Sequence, residues 1–178
     1  MPAFQIQSQP QPGLFLLDCP CSSDDRGEFV KIFHCKFFEE NGISFIPAEI
    51  FMSRSNAGVL RGMHFQDEEA AHDKLVYCLS GSALDVVVDI RPNSPYFNRP
   101  YAIELSPQNK RALFISKGFA HGFFSLEDNC CMIYQVSTVH SPSNDRGILW
   151  SSIDFEWPTQ VPIISRRDSL HPPISDML

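Results

Sequence analysis

Short apolar runs, separated by turn residues, fill the middle of this chain and limit what it can fold into. The turns are rich in Gly, Pro, Asn, Asp and Ser, as in Ser80-Gly81 and Glu127-Asp128-Asn129, and such residues favour tight reversals. The pattern predicts strands over residues 75–79, 83–90, 101–105, 112–115, 121–124 and 130–138. Because no helical pattern separates these strands, the chain is expected to form an all-β sandwich, jelly roll or barrel.

The run from Ala83 to Arg91 carries the alternation of a strand most clearly. One face of the extended chain would present Leu84, Val86, Val88 and Ile90, and the other Asp85, Val87, Asp89 and Arg91. Outside this series the sequence predicts extended segments over residues 28–33 and 43–52, a single helical turn over residues 34–41 and a polar loop over residues 21–27.

Length and charge bound the organisation and the partners of the chain. The 178 residues predict one domain over positions 1–178, in which the Pro-rich segment 157–178 wraps the barrel. A net charge of -7 argues against a general nucleic-acid binder but leaves room for a nucleotide held by a local cluster of cations.

Features of secretion, membranes and metal sites are lacking. The first ten residues show no basic region followed by an apolar run, and no apolar stretch approaches about 18 residues, so a cytoplasmic protein is expected. Cys19-Pro-Cys21 and Cys130-Cys131 lack zinc-site spacing, which predicts reduced cysteines. His64 is followed by Phe65-Gln66 and so forms no His-x-His pair, and His72 lies in a charged loop, so no catalytic metal is expected.

The segment from Ser53 to Gln66 brings cations and an imidazole together in a strand-like context. A regular strand would turn Arg61 and His64 to opposite faces. We therefore expect a twist or bulge near Gly62, since a glycine inside a strand often marks such an irregularity. The alternative is a buried strand with a hydrogen-bonded histidine, because a single histidine is a weak indicator of a site.

Several ordered motifs resemble one family. The segment Gly58-Val-Leu-Arg-Gly-Met-His-Phe-Gln66 resembles the GVLRGLHxQ signature of the dTDP-4-dehydrorhamnose 3,5-epimerase family. Further resemblances are Asp25-Arg-Gly-Glu-Phe29, Asp85-Val-Val-Val-Asp-Ile-Arg91 and Gly118-Phe-Ala-His-Gly-Phe123, and together they extend from about Gly13 to Pro172. The resemblance implies a cupin-type jelly-roll barrel, a double-stranded β-helix with short helical turns.

The resemblance also implies a catalytic set. His64 matches the family's general base and Asp168 the carboxylate that orients it. Lys74 matches the cation that stabilises an enolate, and Tyr134 the phenol that returns a proton. Taken from the sequence alone, Lys74 could equally be a strand-edge lysine, Tyr134 a core tyrosine and Asp168 a surface carboxylate.

The implied substrate contacts are less regular. Arg26 and Arg61 match diphosphate-binding arginines, Phe29 a residue stacked on the base, and His121 a substrate-contacting histidine. The remaining expected contacts are Lys31, Glu49, Phe51, Ser53, His140, Asp145 and Arg167. The chain departs from the family where Glu49-Ile50-Phe51 replaces QxN, Lys31 replaces a glutamate, His140 replaces a tyrosine, and Trp150-Ser-Ser-Ile-Asp154 shortens a WNDP-type segment.

The implied activity is inversion at C3, C5 or both of a nucleotide-diphosphate-linked 4-keto-6-deoxyhexose, in carbohydrate biosynthesis, without a cofactor. The resemblance further implies a homodimer that exchanges N-terminal strands. One alternative is an epimerase for a CDP-linked sugar, because Lys31 can only donate hydrogen bonds and Glu49 can accept one from the cytosine amino group. Another is a non-catalytic cupin that binds a sugar nucleotide.

Overall fold

A computed structural model describes residues 3–177, so positions 1, 2 and 178 of the predicted domain lie outside the described residues. Most of the regular elements are strands. The strands are β1 (Gln5–Gln11), β2 (Leu14–Asp18), β3 (Cys21–Asp24), β4 (Gly27–Val30), β5 (Glu49–Ser55), β6 (Val59–Gln66), β7 (Lys74–Ser80), β8 (Ala83–Asp89), β9 (Pro100–Leu105), β10 (Arg111–Ile115), β11 (Phe119–Ser125), β12 (Cys130–Val136), β13 (Asp145–Gly147) and β14 (Ile163–Ile164). The helices are α1 (Cys35–Glu40) and 3-10 turns at Glu68–Ala70, Trp150–Ser152, Asp168–Leu170 and Ile174–Met177.

Two main sheets build the jelly roll. The first has the order β1-β2-β10-β7-β12-β5, and the second β13-β6-β11-β8-β9 with β14 added in parallel to β6. Buried side chains from both sheets meet between them, among them Val76 and Met132 from the first and Val87 and Phe123 from the second. The all-β prediction and the alternation along β8 are confirmed, because Val87 faces this shared core while Val86 and Val88 face away from it.

The outer faces of both sheets are covered by chain that is not part of them. Phe38 of α1 packs with Phe45 and Phe114 against the first sheet. Segments near the C-terminus cover the second sheet, where Trp150 and Trp157 join the cluster around Met63 and Val86. The Trp157 Nε1–H donates to the Trp150 carbonyl at 3.0 Å. This covering layer keeps the loop after Trp157 close to β6.

The structure differs from the sequence prediction around residue 24. The expected polar loop contains β3, which pairs with β4 in a separate two-stranded hairpin. Its Ser22, Ser23 and Asp24 are exposed on both faces. No apolar alternation marks such a strand, because its only described partner is the other arm of the hairpin.

The predicted irregularity near Gly62 is present. His121 of β11 pairs with His64, and Phe123 pairs with Arg61. Between these two pairs β6 contains one residue more than β11, which is a β-bulge. Gly62 has φ +131°, and a Cβ there would lie 2.5 Å from the Gly122 Cα. Only glycine fits this approach. Because of the shift, Arg61 and His64 both line the same cavity. Among the described residues, no helix is long and apolar enough to cross a membrane.

Candidate active site

A cavity of about 820 Å³ lies between the two sheets. Most of the side chains expected to act on substrate line it. From the first sheet these are Glu49, Phe51, Ser53, Lys74 and Tyr134; from the second they are Arg61, His64, His121 and Asp145; from the loops they are His140, Arg167 and Asp168. Apolar side chains such as Val136, Ile163 and Ile164, which the sequence did not indicate, complete the wall.

His64 and Asp168 form a hydrogen-bonded pair although they are 104 positions apart. The His64 Nε2 lies 2.9 Å from Asp168 Oδ1, and the Gly62 amide donates to Oδ2 at 3.1 Å. Burial would raise the pKa of this carboxyl, but the hydrogen bond and charge of His64, together with the Gly62 amide, lower it to about 2. The carboxylate is therefore ionised at neutral pH and accepts the Nε2 proton, which leaves Nδ1 of His64 as the basic nitrogen.

Lys74 opens β7, lines the cavity and is buried. Its Nζ donates to the carbonyl of His64 at 3.1 Å. Burial lowers the pKa of Lys74 from 10.5 to about 8, and the charges of Asp145 and Asp85 oppose that shift. At neutral pH the group remains largely a cation with little water around it, which makes it a strong donor to a developing enolate oxygen.

Tyr134 of β12 lies in the opposite sheet from His64. Its hydroxyl is 3.3 Å from Ser53 Oγ, and its ring stacks on Phe51 with centroids 4.9 Å apart. Burial raises the pKa of the phenol, so it carries its proton at neutral pH. An uncharged acid and an imidazole base thus approach the cavity from different sheets.

A second His–Asp pair lies beside the first. His121 of β11 and Asp85 of β8 are both buried, and His121 Nε2 lies 2.8 Å from Asp85 Oδ2. The His121 ring also approaches Tyr134 edge-on, with centroids 6.1 Å apart. The sequence analysis did not assign Asp85 to the site. Its position on the interior face with Val87 was the available signal, because a buried carboxylate needs a partner.

The remaining polar side chains of the wall are held by neighbours. Arg167 pairs with Asp145 at 2.7 Å. The Nε of Arg61 donates to Ser55 Oγ at 3.0 Å, and Glu49 Oε2 accepts the backbone N–H of His140 at 2.8 Å. These contacts fix the positions of charged groups of both signs in the cavity wall.

Arg26, Phe29 and Lys31 do not line the cavity. Arg26 and Phe29 belong to the β3–β4 hairpin and Lys31 follows it directly. Arg26 is paired with Asp24, and Phe29 is 54% exposed. Within one chain the expected diphosphate and base contacts of this hairpin are thus separate from the catalytic groups.

His171 joins His64 and Asp168 in a compact group that the sequence analysis did not find. Among the described residues, the ligand atoms of these three lie within 4.8 Å of one another, a spacing that a metal ion could bridge. Here His64 Nε2 and Asp168 Oδ1 lie at hydrogen-bond distance instead. The expectation of a metal-free site stays a prediction. All six cysteines are free thiols.

Comparison with known proteins gives one family. The family model described as dTDP-4-dehydrorhamnose 3,5-epimerase matches residues 9–176. The curated dTDP-4-dehydrorhamnose 3,5-epimerase of Shigella flexneri is 42% identical over 162 residues, which cover 88% of each chain. That of Escherichia coli strain K12 is 42% identical over 161 residues, 87% of this chain and 86% of the relative.

Solved structures agree with the sequence relatives. The Bacillus anthracis dTDP-4-dehydrorhamnose 3,5-epimerase, with TDP and pyrophosphate bound, has a TM-score of 0.93 and 34% identity over 96% of this chain and 99% of its own. The Legionella pneumophila epimerase in complex with dTDP-4-keto-L-rhamnose has a TM-score of 0.92 and 32% identity over 99% and 97%. This chain therefore belongs to the dTDP-4-dehydrorhamnose 3,5-epimerase family.

Proposed function

We propose that this protein is an isomerase that inverts C3, C5 or both of a nucleotide-diphosphate-linked 4-keto-6-deoxyhexose. The observation that carries the proposal is the position of an imidazole–carboxylate pair and a buried phenol on different sheets around one cavity. Inversion next to a ketone needs a base on one face of the sugar, a donor to the enolate oxygen and an acid on the other face. The cavity offers each of these groups.

The roles follow from protonation state. His64 removes the proton at the carbon next to the ketone, and Asp168 stabilises the imidazolium that forms and fixes its tautomer. Lys74 donates to the oxygen that gains charge as the enolate forms. Tyr134, which keeps its proton because burial raises its pKa, returns a proton to the opposite face. At neutral pH Lys74 is still largely a cation and Tyr134 keeps its proton, so both groups are in the state that their roles require.

The nucleotide of the substrate is proposed to be dTDP. The Bacillus anthracis relative binds TDP and the Legionella pneumophila relative binds a dTDP-linked keto sugar. In this chain Arg61 lines the cavity and can meet a diphosphate. One observation favours a CDP-linked sugar as the second candidate: the Glu49 carboxylate, where the family has a glutamine, faces the cavity and can accept a hydrogen bond from an amino group.

A second copy of the chain is part of the proposal. β5 is an edge strand of its sheet among the described residues, and it exposes Ile50 and Met52. Edge strands with apolar side chains are commonly covered by another chain, and two-fold pairing covers both copies at once. We infer that the β3–β4 hairpin of each copy reaches the cavity of the other and supplies Arg26 and Phe29 there.

Solvent exchange tests the function directly. The protein is incubated in D₂O with the dTDP-linked 4-keto-6-deoxy sugar, and deuterium at C3 and C5 is followed by NMR. We expect deuterium to enter at one or both carbons together with the inverted product. Binding of the sugar nucleotide without any exchange would instead indicate a non-catalytic binding protein.

The proposal assigns no step to a metal or a cofactor. We therefore expect protein dialysed against a strong chelator to keep its full exchange rate. Loss of exchange on dialysis, restored by adding back one divalent ion, would contradict this part of the proposal. Metal analysis of the dialysed sample serves as the control.

A further inference from the structure

His171 follows the short turn Asp168–Leu170 and has an environment that packing alone does not explain. Its side chain is only 11% exposed, and its Nε2 is buried without a hydrogen-bond partner. The acceptor it faces is Asp168 Oδ1, 3.7 Å away, the same oxygen that lies 2.9 Å from His64 Nε2. Two imidazoles therefore converge on one carboxylate oxygen.

The His171 ring is fixed by its neighbours. It lies edge-on to the His64 ring, with centroids 5.7 Å apart and an interplanar angle of 79°. It also lies against the backbone of Gly147, where a Cβ would come within 2.3 Å of Nε2. Gly147 is the residue of β13 that pairs with His64 of β6. The ring thus occupies a space that only a glycine at position 147 leaves open.

The charge around this ring selects its tautomer. A lone pair on Nε2 would face the Asp168 carboxylate and be repelled, whereas an N–H would be attracted. An N–H buried without an acceptor is unfavourable, so a small rotation that brings it into hydrogen-bond range of Oδ1 is favoured. The charged or titratable groups that face the ring are His64 from β6, Asp145 from β13, and Arg167 and Asp168 from its own segment. Burial, followed by the charge of His64, lowers the pKa of His171 and keeps it neutral.

We propose that His171 is a positioning residue that donates its Nε2–H to Asp168 Oδ1 and completes a His64–Asp168–His171 chain. The carboxylate is then held by His64 and His171 on one oxygen and by the Gly62 amide on the other. The added donor on Oδ1 restrains the carboxylate further and helps it to keep His64 in the tautomer that leaves Nδ1 basic. The catalytic consequence rests on the proposed function, whereas the hydrogen bond itself does not.

The test compares two substitutions of His171 in the ligand-free protein. His171→Leu removes the donor and keeps much of the volume, and His171→Gln keeps an N–H donor that does not titrate. Leu170→Ala, at an exposed position of the same turn, is the matched control. In each protein the pKa and tautomer of His64 are measured by NMR with ¹⁵N-labelled histidine.

The expected direction of the change in the His64 pKa follows from the sharing of Asp168 Oδ1 by two donors. In the wild type two donors share Oδ1, which weakens the attraction of the carboxylate for protonated His64. His171→Leu leaves that attraction to His64 alone, so we expect the pKa of His64 to rise by about 0.5 to 1 unit while its Nε2–H tautomer stays dominant. His171→Gln and Leu170→Ala should stay close to wild type. An unchanged His64 titration in His171→Leu would overturn the proposal.

Activity gives a second, separate readout. His171 does not line the cavity, so we expect His171→Leu to lower kcat about tenfold with KM within twofold, and His171→Gln to restore kcat. Equal loss in the Leu and Gln variants would mean a structural role and would overturn the proposal. If no sugar nucleotide is turned over by the wild type, the proposed function fails, while the NMR result still decides the hydrogen bond.

Gly147→Ala provides a variant that leaves His171 in the sequence. The added methyl would displace the ring from its place against β13. We expect the same rise of the His64 pKa as in His171→Leu, and no further rise in the double variant, because both changes break one hydrogen bond. Additive shifts in the double variant would contradict the proposal. If His171→Leu does not fold, the comparison of Gly147→Ala with wild type still tests the hydrogen bond.

Discussion

The acid and the base of the site are set apart by their surroundings. Asp168 keeps its charge because donors surround it, whereas Tyr134 keeps its proton because the cavity wall excludes water. Tyr134 comes from the first sheet and His64, the partner of Asp168, from the second, which suits addition and removal of a proton on opposite faces of a sugar ring. Substitution of Tyr134 or of His64 should therefore separate one of these functions from the other.

Replacing Tyr134 by Phe should remove the acid and leave the base. Proton removal by His64 can continue, and the enolate is then reprotonated from the face that it left. We expect deuterium to enter the substrate from D₂O faster than inverted product forms, as followed by NMR. Ser53→Ala, which removes only the hydroxyl next to the phenol, is the control and should retain inversion. Equal loss of exchange and inversion would argue that Tyr134 binds substrate or supports the fold.

Lys74 should lower the stability of the protein in return for its catalytic role. Its pKa falls from 10.5 in the unfolded reference to about 8 in the fold because it is buried. Between these values the unfolded chain binds more protons, so the free energy of unfolding should rise as pH increases from about 8 to 10.5. At pH 7 the cost is fully present. Lys74→Met should therefore have a free energy of unfolding up to about 3 kcal/mol higher than wild type at pH 7. Urea unfolding measures this difference.

The same variant should be inactive, since no cation remains to stabilise the enolate. The stability difference should shrink as pH rises from about 8 to 10.5 and vanish above 10.5, where the wild-type lysine is neutral in both the folded and the unfolded state. A Lys74→Met protein that is less stable than wild type at pH 7 would contradict the account of a desolvated cation.

The central strands with many buried apolar side chains were predictable from the sequence. The short, polar strands were not. β8 shows a period of two because one face carries Val86 and Val88 into the outer layer, whereas the other carries Val87 together with the paired carboxylates Asp85 and Asp89. β3 and β13 lack that pattern, since each is short and largely polar. The catalytic set followed from motifs, whereas Asp85 and His171 did not, because their partners are defined only by the fold.

The β3–β4 hairpin gives a prediction at the level of one element. Combined Arg26→Ala and Phe29→Ala should weaken activity if the hairpin serves a cavity. When this variant is co-expressed with inactive His64→Asn, random pairing should restore about a quarter of the wild-type sites, because half of the dimers are mixed and each has one intact site. Activity that only equals the average of the two variants would mean that the hairpin acts within its own chain or not at all.

At the scale of the molecule, the cavity lies between two sheets whose outer faces are covered. Its wall is largely apolar and contains a few polar side chains. Such a site should recognise the base by a small number of polar contacts. We expect dTDP to raise the melting temperature more than CDP, UDP or GDP at equal concentration. At 100 times its Kd a ligand adds about 2.7 kcal/mol, or about 5–10 °C for a chain of this size.

Glu49→Gln is the matched variant for that comparison, because it introduces the amide that the resemblance to the family implies at this position. If dTDP is the ligand, the variant should bind it at least as well as wild type. If CDP stabilises the wild type more than dTDP, and Glu49→Gln reverses the order, the cytidine alternative is correct and the proposed thymidine preference is wrong.

The central claim is that His64 removes a proton from the sugar. The most direct measurement is the rate of deuterium incorporation at C3 and C5 in D₂O for wild type, His64→Asn and His140→Asn, the last being another cavity histidine. Loss of a positioned base should slow exchange by roughly 10² to 10⁴-fold. The account predicts that His64→Asn loses exchange to this extent while still binding dTDP, and that His140→Asn retains it. Near wild-type exchange in His64→Asn would contradict the account.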